Sequence, residues 1–515
     1  MSDVLFGQGY HLRFDPKLWA AMEPYPPLGA LYAAAAVRDA GFGVAFHDSM
    51  LADSEREWAE ALDRERPRWA VIYEDNFNYL TKMCLLRMRE AACTMISMAR
   101  ERGVEVVVAG SDASDNPGLY LERGARVVLC GEGERSLVEV LARLSGRDPG
   151  EMGDVEGIAL ADPERPDGVR RTAPRTPIRD LDSLPVPAWD LVDLARYRAI
   201  WRARHGRFSL NMVTTRGCPY HCNWCAKPLW GQRYAVRSPR AVADELELLV
   251  RQHGVEHVWF MDDIFGLRPS WLPELADLVE ERGLGIGFKC LSRPDLMLRE
   301  GTVEALARAG CEIVWMGAES GSQKVLDAME KGTTVEQIAA AADRLHAAGV
   351  GVAFFVQFGY PGETRDDIEA TLEMIRTCRP DDVGMSVSYP LPGTPFFERV
   401  RSQLGDKRHW VDSNDLDMMY RGPFTTDFYR QLHTVLHTEL RARRRGRELA
   451  GLAARPWRLR SRHAIAAAGA IARWARLPLE RRRLDRLARA PYEGIGPLPP
   501  GMSHAEAAQP SPQSD

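Results

Sequence analysis

Two long blocks of this chain alternate short apolar runs with amphipathic helical stretches, and that alternation narrows the fold more than any other property of the sequence. In the first block the runs are DVLFGQ (3–8), GVAFHD (43–48), WAVIYED (69–75), EVVVAG (105–110) and RVVLCGEGE (126–134). Stretches such as LGALYAAAAVRDAG (28–41) and REAACTMISMARERG (89–103) separate them. Strands alternating with helices predict a parallel sheet covered on both faces, a doubly wound α/β domain over 1–145. Ligands of such sheets sit beyond the carboxyl ends of the strands. Here those ends are marked by Gly7, Gly9, Asp75, Gly110, Ser111, Gly131 and Gly133.

Residues 146–206 are rich in Pro, Asp and Gly (ADPERPDG, RTAPRTPIRDLDSLPVPAWD) and read as a linker. The alternation resumes over 207–400 with RFSLNMVTTRG (207–217), HVWFMDD (257–263), GIGFKCLS (285–292), CEIVWMGAES (311–320), GVAFFVQFGYPGE (351–363) and DVGMSVSYPLPGTP (381–395). Repeated strand-helix units of this length predict a β/α barrel or part of one, with chemistry at the carboxyl ends of its strands. Residues 401–493 read as helical and Arg-rich. The Pro- and Ser-rich end, 494–515, reads as disordered.

Composition excludes several classes. A chain of 515 residues is too long for one ordinary core. It has no apolar run of the ~18 residues that span a bilayer, and its start lacks the order of a signal peptide, so a cytoplasmic protein is expected. Nine cysteines are too few for a disulfide-stapled secreted fold. Cys84, Cys93, Cys130, Cys290, Cys311 and Cys378 are scattered singly and are expected to be small buried hydrophobes. Between Arg441 and Arg489, 16 arginines stand against 3 acidic residues, a local +13 that leaves −18 for the rest of a chain of net charge −5. Interleaved with Ala, Leu and Trp, these arginines read as the polar face of helices and not as a nucleic-acid surface.

The other three cysteines, Cys218, Cys222 and Cys225, share one short loop, TTRGCPYHCNWCAKPLWG (214–231). A structural zinc site needs four ligands, and the nearest further one, His221, is cramped between two of the cysteines. A redox CxxC pair leaves Cys218 without a role. An iron–sulfur cluster employs all three thiolates and leaves one iron open to a ligand that is not protein.

CxxxCxxC with an aromatic residue before the last cysteine, here CPYHCNWC, on the loop after the first strand of a β/α series resembles the signature of radical S-adenosylmethionine enzymes. The resemblance implies a 4Fe-4S cluster on Cys218, Cys222 and Cys225, whose open iron chelates the amino and carboxylate groups of S-adenosylmethionine. One electron then breaks a sulfur–carbon bond to give a 5′-deoxyadenosyl radical. In FMDDIF (260–265) it nominates Asp262 and Asp263 for the methionine amino group, although the family's commoner Gly-Gly-Glu is absent. LSRPD (291–295) and GAESGS (317–322) nominate Ser292, Arg293 and Glu319 for the carboxylate and ribose, and FGYPGET (358–364) nominates Gly359 and Gly362 for the adenine.

The first domain, together with PLPGTPFFE (390–398), is similar to the cobalamin-binding branch of that family, which includes the anaerobic magnesium-protoporphyrin monomethyl ester cyclase and natural-product radical methyltransferases. The resemblance covers roughly residues 1–430. It implies cobalamin beside Gly7, Gly9, Asp75, Gly110, Ser111, Gly131 and Gly133. The Asp-x-His-x-x-Gly motif that ligates cobalt from below is absent, and the loop after the first strand offers His11 alone.

The expected function is a cobalamin-dependent radical methyltransferase acting on an unactivated carbon of a small metabolite. The rivals are a radical oxidoreductase, cyclase or diol-dehydratase that moves no methyl group and, from another class, a non-catalytic cobalamin or iron–sulfur sensor. The family implies an electron donor such as flavodoxin or ferredoxin. Tyr234 and Tyr389 are the expected substrate contacts, and no residue is nominated as a catalytic acid or base.

Overall fold

The apolar runs of the first block form strands whose alternate residues feed two separate cores. These are β1 (Val4–Gly7), β2 (Val44–Phe46), β3 (Trp69–Tyr73), β4 (Glu105–Ala109) and β5 (Val127–Leu129). Val4, Phe6, Val71, Tyr73, Val107 and Ala109 pack with Ala30, Ala33 and Val37 of the helix Leu28–Asp39 and with Leu137, Val140 and Leu141 of the helix Glu134–Leu144. Leu5, Ala70, Ile72, Val106 and Val108 face the other way, onto Trp58 and Ala61 of the helix Arg56–Glu65 and Met95, Ile96 and Ala99 of the helix Leu86–Glu101. Two covered faces are why these strands read as continuous apolar runs. Each large side chain so buried contributes about 1.5–3 kcal/mol.

A computed structural model of the chain describes residues 2–77, 86–226, 229–404, 415–453 and 461–489. The first five strands pair in parallel. Where the sequence reads as a linker, the structure adds β6 (Ile158–Ala161) and β7 (Val169–Arg171). Both pair antiparallel, so the sheet is mixed, with order β2-β1-β3-β4-β5-β6-β7. The same stretch carries the helix Leu194–His205, capped by Asp193, which accepts from the amides of Ala195 and Arg196. Pro-rich composition hid the two strands because they are short and end the sheet as a hairpin. Between β1 and β3 the strand order reverses, the switch point at which such sheets bind ligands.

The second block gives β8 (Ser209–Met212), the short β9 (Thr215–Arg216) and β10 (Ala235–Val236), then β11 (His257–Phe260), β12 (Gly287–Ser292), β13 (Cys311–Glu319), β14 (Gly351–Phe358) and β15 (Asp382–Val387). Six of them form one sheet of order β15-β14-β13-β12-β11-β8, open from end to end: a half-barrel. Pairing is parallel among β8, β11 and β12 and among β13, β14 and β15. The intervening helices start where the sequence marks them. Ser238 caps Pro239–His253, and capping boxes of Thr334 with Gln337 and Thr364 with Asp367 open Val335–Ala347 and Arg365–Cys378.

Two helices, Thr426–Ala453 and Ser461–Leu487, follow the half-barrel, and some of their arginines are paired with carboxylates of the same two helices. Buried Glu439 accepts from Arg376 at 2.7 Å, Arg443 at 2.8 Å and Arg481 at 2.6 Å. Among the described residues no helix is long and apolar enough to cross a membrane. Cys290, Cys311 and Cys378 are buried as expected, Cys93 and Cys130 are only half-buried, and Cys84 and the segment 494–515 lie outside the described residues.

The chain divides into two compact units: residues 1–220, 227–291 and 304–312 form the first, and residues 221–226, 292–303 and 313–515 the second. Cys218 belongs to the first, Cys222 and Cys225 to the second.

Candidate functional site

In the first unit, the approach to Cys218 is held from β11. The Asp262 carboxylate, 1% exposed, accepts from the amides of Thr214 (2.7 Å) and Thr215 (2.8 Å) and from the Thr214 hydroxyl (2.6 Å). Burial pushes its pKa up to about 6, against the pull of these donors. Asp262 is thereby committed to the strand end, while Asp263 is exposed. Gly217 turns the chain with φ 78°, and a Cβ there would fall 2.3 Å from the Arg233 carbonyl oxygen, so only glycine fits before Cys218.

Arg216, two residues before Cys218, is buried between two carboxylates: Nη1 lies 2.5 Å from Glu132 Oε1 and Nη2 2.7 Å from Glu134 Oε1. The rings of Tyr32, Phe77 and Trp230 surround the guanidinium at 5.6, 5.4 and 6.0 Å. Glu132 also accepts from the Ile178 amide. The GEGE run after β5 is thus a joint between the first sheet and the cysteine loop. Sequence reasoning singled out its glycines and missed its glutamates; the signal was two acids flanking Gly133 in one motif and a lone Arg beside the cysteines in another.

The ligand-end glycines of the first sheet are explained by the protein's own atoms. A Cβ at Gly7 would meet the Trp58 ring at 2.8 Å, at Gly110 the Glu74 Cβ at 2.8 Å, and at Gly133 the Tyr73 hydroxyl at 2.9 Å. Gly131 sits at φ 84°, and Ser111 is buried at the start of the short helix Ser111–Asp115. The Gly9 amide donates to Glu74 Oε1 at 2.7 Å, and Asp75 Oδ1 accepts from the amides of Gly29 and Phe77. Glu74 is buried, which raises its pKa to about 8.

Around the switch point several buried polar atoms have no hydrogen-bond partner among the described residues: Gln8 Oε1, His11 Nε2, Glu74 Oε2 and Asn76 Oδ1. Orphans of this kind are rare in a finished core and fit a ligand rich in amide groups. His11 is 1% exposed, with Nδ1 3.0 Å from the Gly9 carbonyl oxygen and its ring stacked on Phe14. Burial lowers its pKa, so the ring is neutral.

In the second unit, Asn223, between Cys222 and Cys225, joins the cysteine loop to two other motifs. Its Oδ1 accepts from the Tyr360 hydroxyl (2.9 Å) of FGYPGET, its carbonyl oxygen accepts from the Phe396 amide (3.0 Å) of PLPGTPFFE, and its Nδ2 donates to the Ala328 carbonyl oxygen (2.9 Å). Nearby, Glu319 ends β13 in the left-handed region (φ 59°) and pairs with buried Lys331 at 2.8 Å. Although burial opposes it, the neighbouring Glu319 carboxylate raises the pKa of Lys331, which stays protonated. Arg293 reaches the Lys331 carbonyl oxygen at 3.0 Å and Asp295 at 2.9 Å, and Ser292 is buried beside it in sequence. The structure therefore gathers Arg293 and Glu319 about Lys331, a residue the sequence reading missed.

The glycine turn after β14 is closed by the chain itself. The Gly359 amide donates to Glu363 Oε2 (2.6 Å), its carbonyl oxygen accepts from the Tyr420 hydroxyl, and a Cβ would fall 3.2 Å from Met418 and Tyr429. Gly362 has φ 82° and its carbonyl oxygen accepts from Lys324. Of the expected substrate contacts, Tyr389 accepts from the Leu416 amide at 2.9 Å, and Tyr234 is half-buried with its hydroxyl held protonated by burial.

On the inward face of the second unit's strands, Trp315 and Phe355 are half-buried between fully buried neighbours, their ring centroids 4.7 Å apart. Phe355 lies opposite Gly317 on one side and Gly384 on the other.

Cys218, Cys222 and Cys225 are half-buried, and no disulfide is found among the described cysteines. Among the described residues no group of three or more His, Cys, Asp or Glu side chains stands close enough to hold a metal ion. Three thiols in the spacing of CPYHCNWC, on a loop shaped by Gly217 and anchored by Asn223, nonetheless have the chemistry to ligate a four-iron cluster.

Residues 212–375 match the profile of the Radical SAM superfamily. Over 379 residues the chain is 27% identical to an uncharacterized methyltransferase, PH0819, of Pyrococcus horikoshii, an alignment covering 72% of this chain and 78% of the relative. It is 30% identical to the anaerobic magnesium-protoporphyrin IX monomethyl ester cyclase of Rubrivivax gelatinosus over 54% of this chain, and spans about half of that relative's length (49%). Among solved structures it is similar to the radical S-adenosylmethionine methyltransferase TsrM from Kitasatospora setae, with tryptophan substrate and a SAM analogue bound (TM-score 0.63, 21% identity, 78% of this chain and 76% of that one). It also resembles the cobalamin-dependent S-adenosylmethionine radical enzyme OxsB with aqua-cobalamin bound (TM-score 0.61, 19% identity, 73% of this chain and 52% of that one). At these identities the two structures establish the shared fold.

Proposed function

We propose, with the match of residues 212–375 to the Radical SAM superfamily profile in support, a cobalamin-dependent radical methyltransferase acting on an unactivated carbon of a small molecule. The observation that carries this reading is the pairing of a cysteine loop on a half-barrel with a preceding sheet whose switch point holds buried, unpartnered polar atoms.

Cys218, Cys222 and Cys225 would hold a 4Fe-4S cluster, which when bound supplies the electron that cleaves S-adenosylmethionine to a 5′-deoxyadenosyl radical; the electron comes from a donor such as flavodoxin or ferredoxin. Cobalamin, met by Gln8, Glu74 and Asn76, would supply a methyl carrier. The chain's own work is placement. Asp262 fixes the Thr214–Thr215 strand end, Asn223 fixes the backbone between Cys222 and Cys225, and Arg293 and Glu319 orient the polar end of S-adenosylmethionine. Trp315 and Phe355 offer a flat apolar surface that suits an unsaturated ring in the substrate.

A second reading, radical oxidation, cyclisation or dehydration with no methyl transferred, is favoured by the cyclase similarity and by Gly7, Gly110 and Gly133 packing against the protein's own side chains. Anaerobic reconstitution with and without hydroxocobalamin separates the two. Methyl transfer requires about one cobalt per chain beside four iron, and label from methyl-labelled S-adenosylmethionine in the product. Iron without cobalt, with 5′-deoxyadenosine still formed, establishes the second reading. Absence of both cluster and 5′-deoxyadenosine refutes both.

A further inference from the structure

Every polar atom of Asn223 is engaged, and the residue is 1% exposed. Its amide donates to the Met329 carbonyl oxygen at 3.1 Å, and its own carbonyl oxygen accepts from Phe396 at 3.0 Å. The side-chain nitrogen donates to the Ala328 carbonyl oxygen at 2.9 Å and to Glu330 Oε1 at 3.2 Å, while the side-chain oxygen accepts from the Tyr360 hydroxyl at 2.9 Å. Behind Tyr360, Arg399 Nη1 donates to the same hydroxyl at 3.1 Å. Two acceptors on one side and a hydroxyl on the other fix the orientation of the amide. An aspartate would set a carboxylate oxygen against the Ala328 carbonyl and Glu330; an alanine would leave the Tyr360 hydroxyl and the Ala328 carbonyl to each other, 2.8 Å apart, and would remove the side-chain link between them and the cysteine loop.

Neighbouring residues make this network rigid. Tyr360 stacks on Phe396 with centroids 5.3 Å apart, and Glu330, at φ 53°, is held in a left-handed turn that aims its carboxylate at the Asn223 nitrogen. Three separate segments therefore converge on one of the two residues that separate Cys222 from Cys225. Nothing in the alternation or the cysteine spacing demands an amide there.

We propose that Asn223 is a positioning residue for the iron–sulfur cluster. It fixes the backbone between Cys222 and Cys225, so that the two thiolates meet the cluster at a preset separation and iron is retained. The proposal rests on the reading that the three cysteines hold a four-iron cluster. Supporting residues one step removed from a metal typically alter its retention by roughly 10- to 100-fold.

The test compares wild type, Asn223→Ala, Asn223→Asp, Tyr360→Phe and, as control, Cys222→Ala, all full length and reconstituted anaerobically. Iron and sulfide per chain, release of iron to a coloured chelator, and the electron paramagnetic resonance spectrum of the reduced cluster are measured, with circular dichroism melting to confirm the fold. Asn223→Ala and Asn223→Asp are expected to release iron about tenfold faster than wild type and to broaden or shift the resonance. Tyr360→Phe, which removes the hydroxyl's bonds to Asn223, Ala328 and Arg399 but keeps Asn223 and its bonds to Ala328 and Glu330, is expected to give a smaller change in the same direction. Folded Asn223 variants with wild-type release rates and spectra overturn the inference alone. A wild-type protein that takes up no four-iron cluster overturns the functional reading, and the inference with it.

Discussion

The carboxyl ends of the two sheets use buried polar groups in opposite ways. Around β1 and β3 the glycines make room for the protein's own bulk, Trp58 beside Gly7 and Glu74 beside Gly110, and the atoms Gln8 Oε1, His11 Nε2, Glu74 Oε2 and Asn76 Oδ1 are left unanswered. Around β14 the polar groups close on one another: Gly359 binds Glu363 and Tyr420, and Asn223 has a partner for every polar atom. A satisfied network presets a loop before anything binds, whereas buried orphans cost stability until a ligand answers them. The half-barrel end is preset by its own contacts, and the first-sheet end keeps buried acceptors that the described residues leave unanswered.

Removing a thiol from the preset loop gives the largest effect. Cys222 is half-buried and makes no structural bond that holds the fold, so Cys222→Ala should melt near wild type. Its 5′-deoxyadenosine formation should fall well beyond the roughly 10- to 100-fold loss that removal of a supporting residue brings. Chromatography of the anaerobic reaction checks this, and normal turnover would remove the cysteine loop from the mechanism.

Next in size is the joint between the first sheet and the cysteine loop. Arg216→Met leaves Glu132 and Glu134 buried without a counter-charge, which should cost roughly 3–5 kcal/mol of stability. Adding Glu132→Gln and Glu134→Gln should restore most of it, since neutral side chains need no guanidinium. Denaturant melts of the single and triple variants decide the matter. A mild single variant would mean that the joint is solvated and that the two sheet ends are less tightly linked than Arg216 implies.

The contrast between the two ends was only partly legible in the sequence. Strand positions followed from apolar runs because both faces of the first sheet are covered and one face of the half-barrel strands is fully buried, and helix starts followed from Ser238, Thr334 and Thr364 because capping is local chemistry. The cysteine loop was legible as a motif. Its support was not: Asn223, Tyr360 and Phe396 are far apart in sequence, and Arg216 with Glu132 and Glu134 is a long-range ion pair. Nor did the motif show that Asp262, nominated for the methionine amino group, accepts from Thr214 and Thr215 at the strand end. The strands Ile158–Ala161 and Val169–Arg171 were missed because a short edge hairpin needs little apolar periodicity.

The unanswered end can be sharpened through pH. Burial raises the pKa of Glu74 from 4.5 to about 8, so the folded protein keeps a proton that the unfolded chain gives up. Below the unfolded value both states are protonated and the group is neutral in its effect. As pH rises from about 4.5 to 8 the unfolded state is favoured by an amount that grows to the order of 3 kcal/mol, allowing for water entry. Glu74→Gln keeps an acceptor for the Gly9 amide and removes the titration. Its melting temperature, measured without cobalamin, should match wild type near pH 4.5 and exceed it increasingly toward pH 8. A constant difference would mean that Glu74 is hydrated, and the first-sheet end would lose its standing as a dry, unfinished site.

The smallest effect concerns a glycine that belongs to neither kind of end. Gly384 is not in the left-handed region, so its backbone tolerates a side chain, yet a Cβ would fall 2.9 Å from Phe355 Cδ1 and 3.3 Å from the Trp315 ring. Gly384→Ala should therefore cost about 1 kcal/mol by overpacking and push the Phe355 ring into the open face of the half-barrel. If that face receives a flat substrate, KM should rise a few-fold while 5′-deoxyadenosine formed without substrate stays at the wild-type rate, because nothing in the cysteine loop has moved. An unchanged KM would assign the ring pair to core packing, and the open face would then be a third use of glycine, the filling of a sheet and not the shaping of a site.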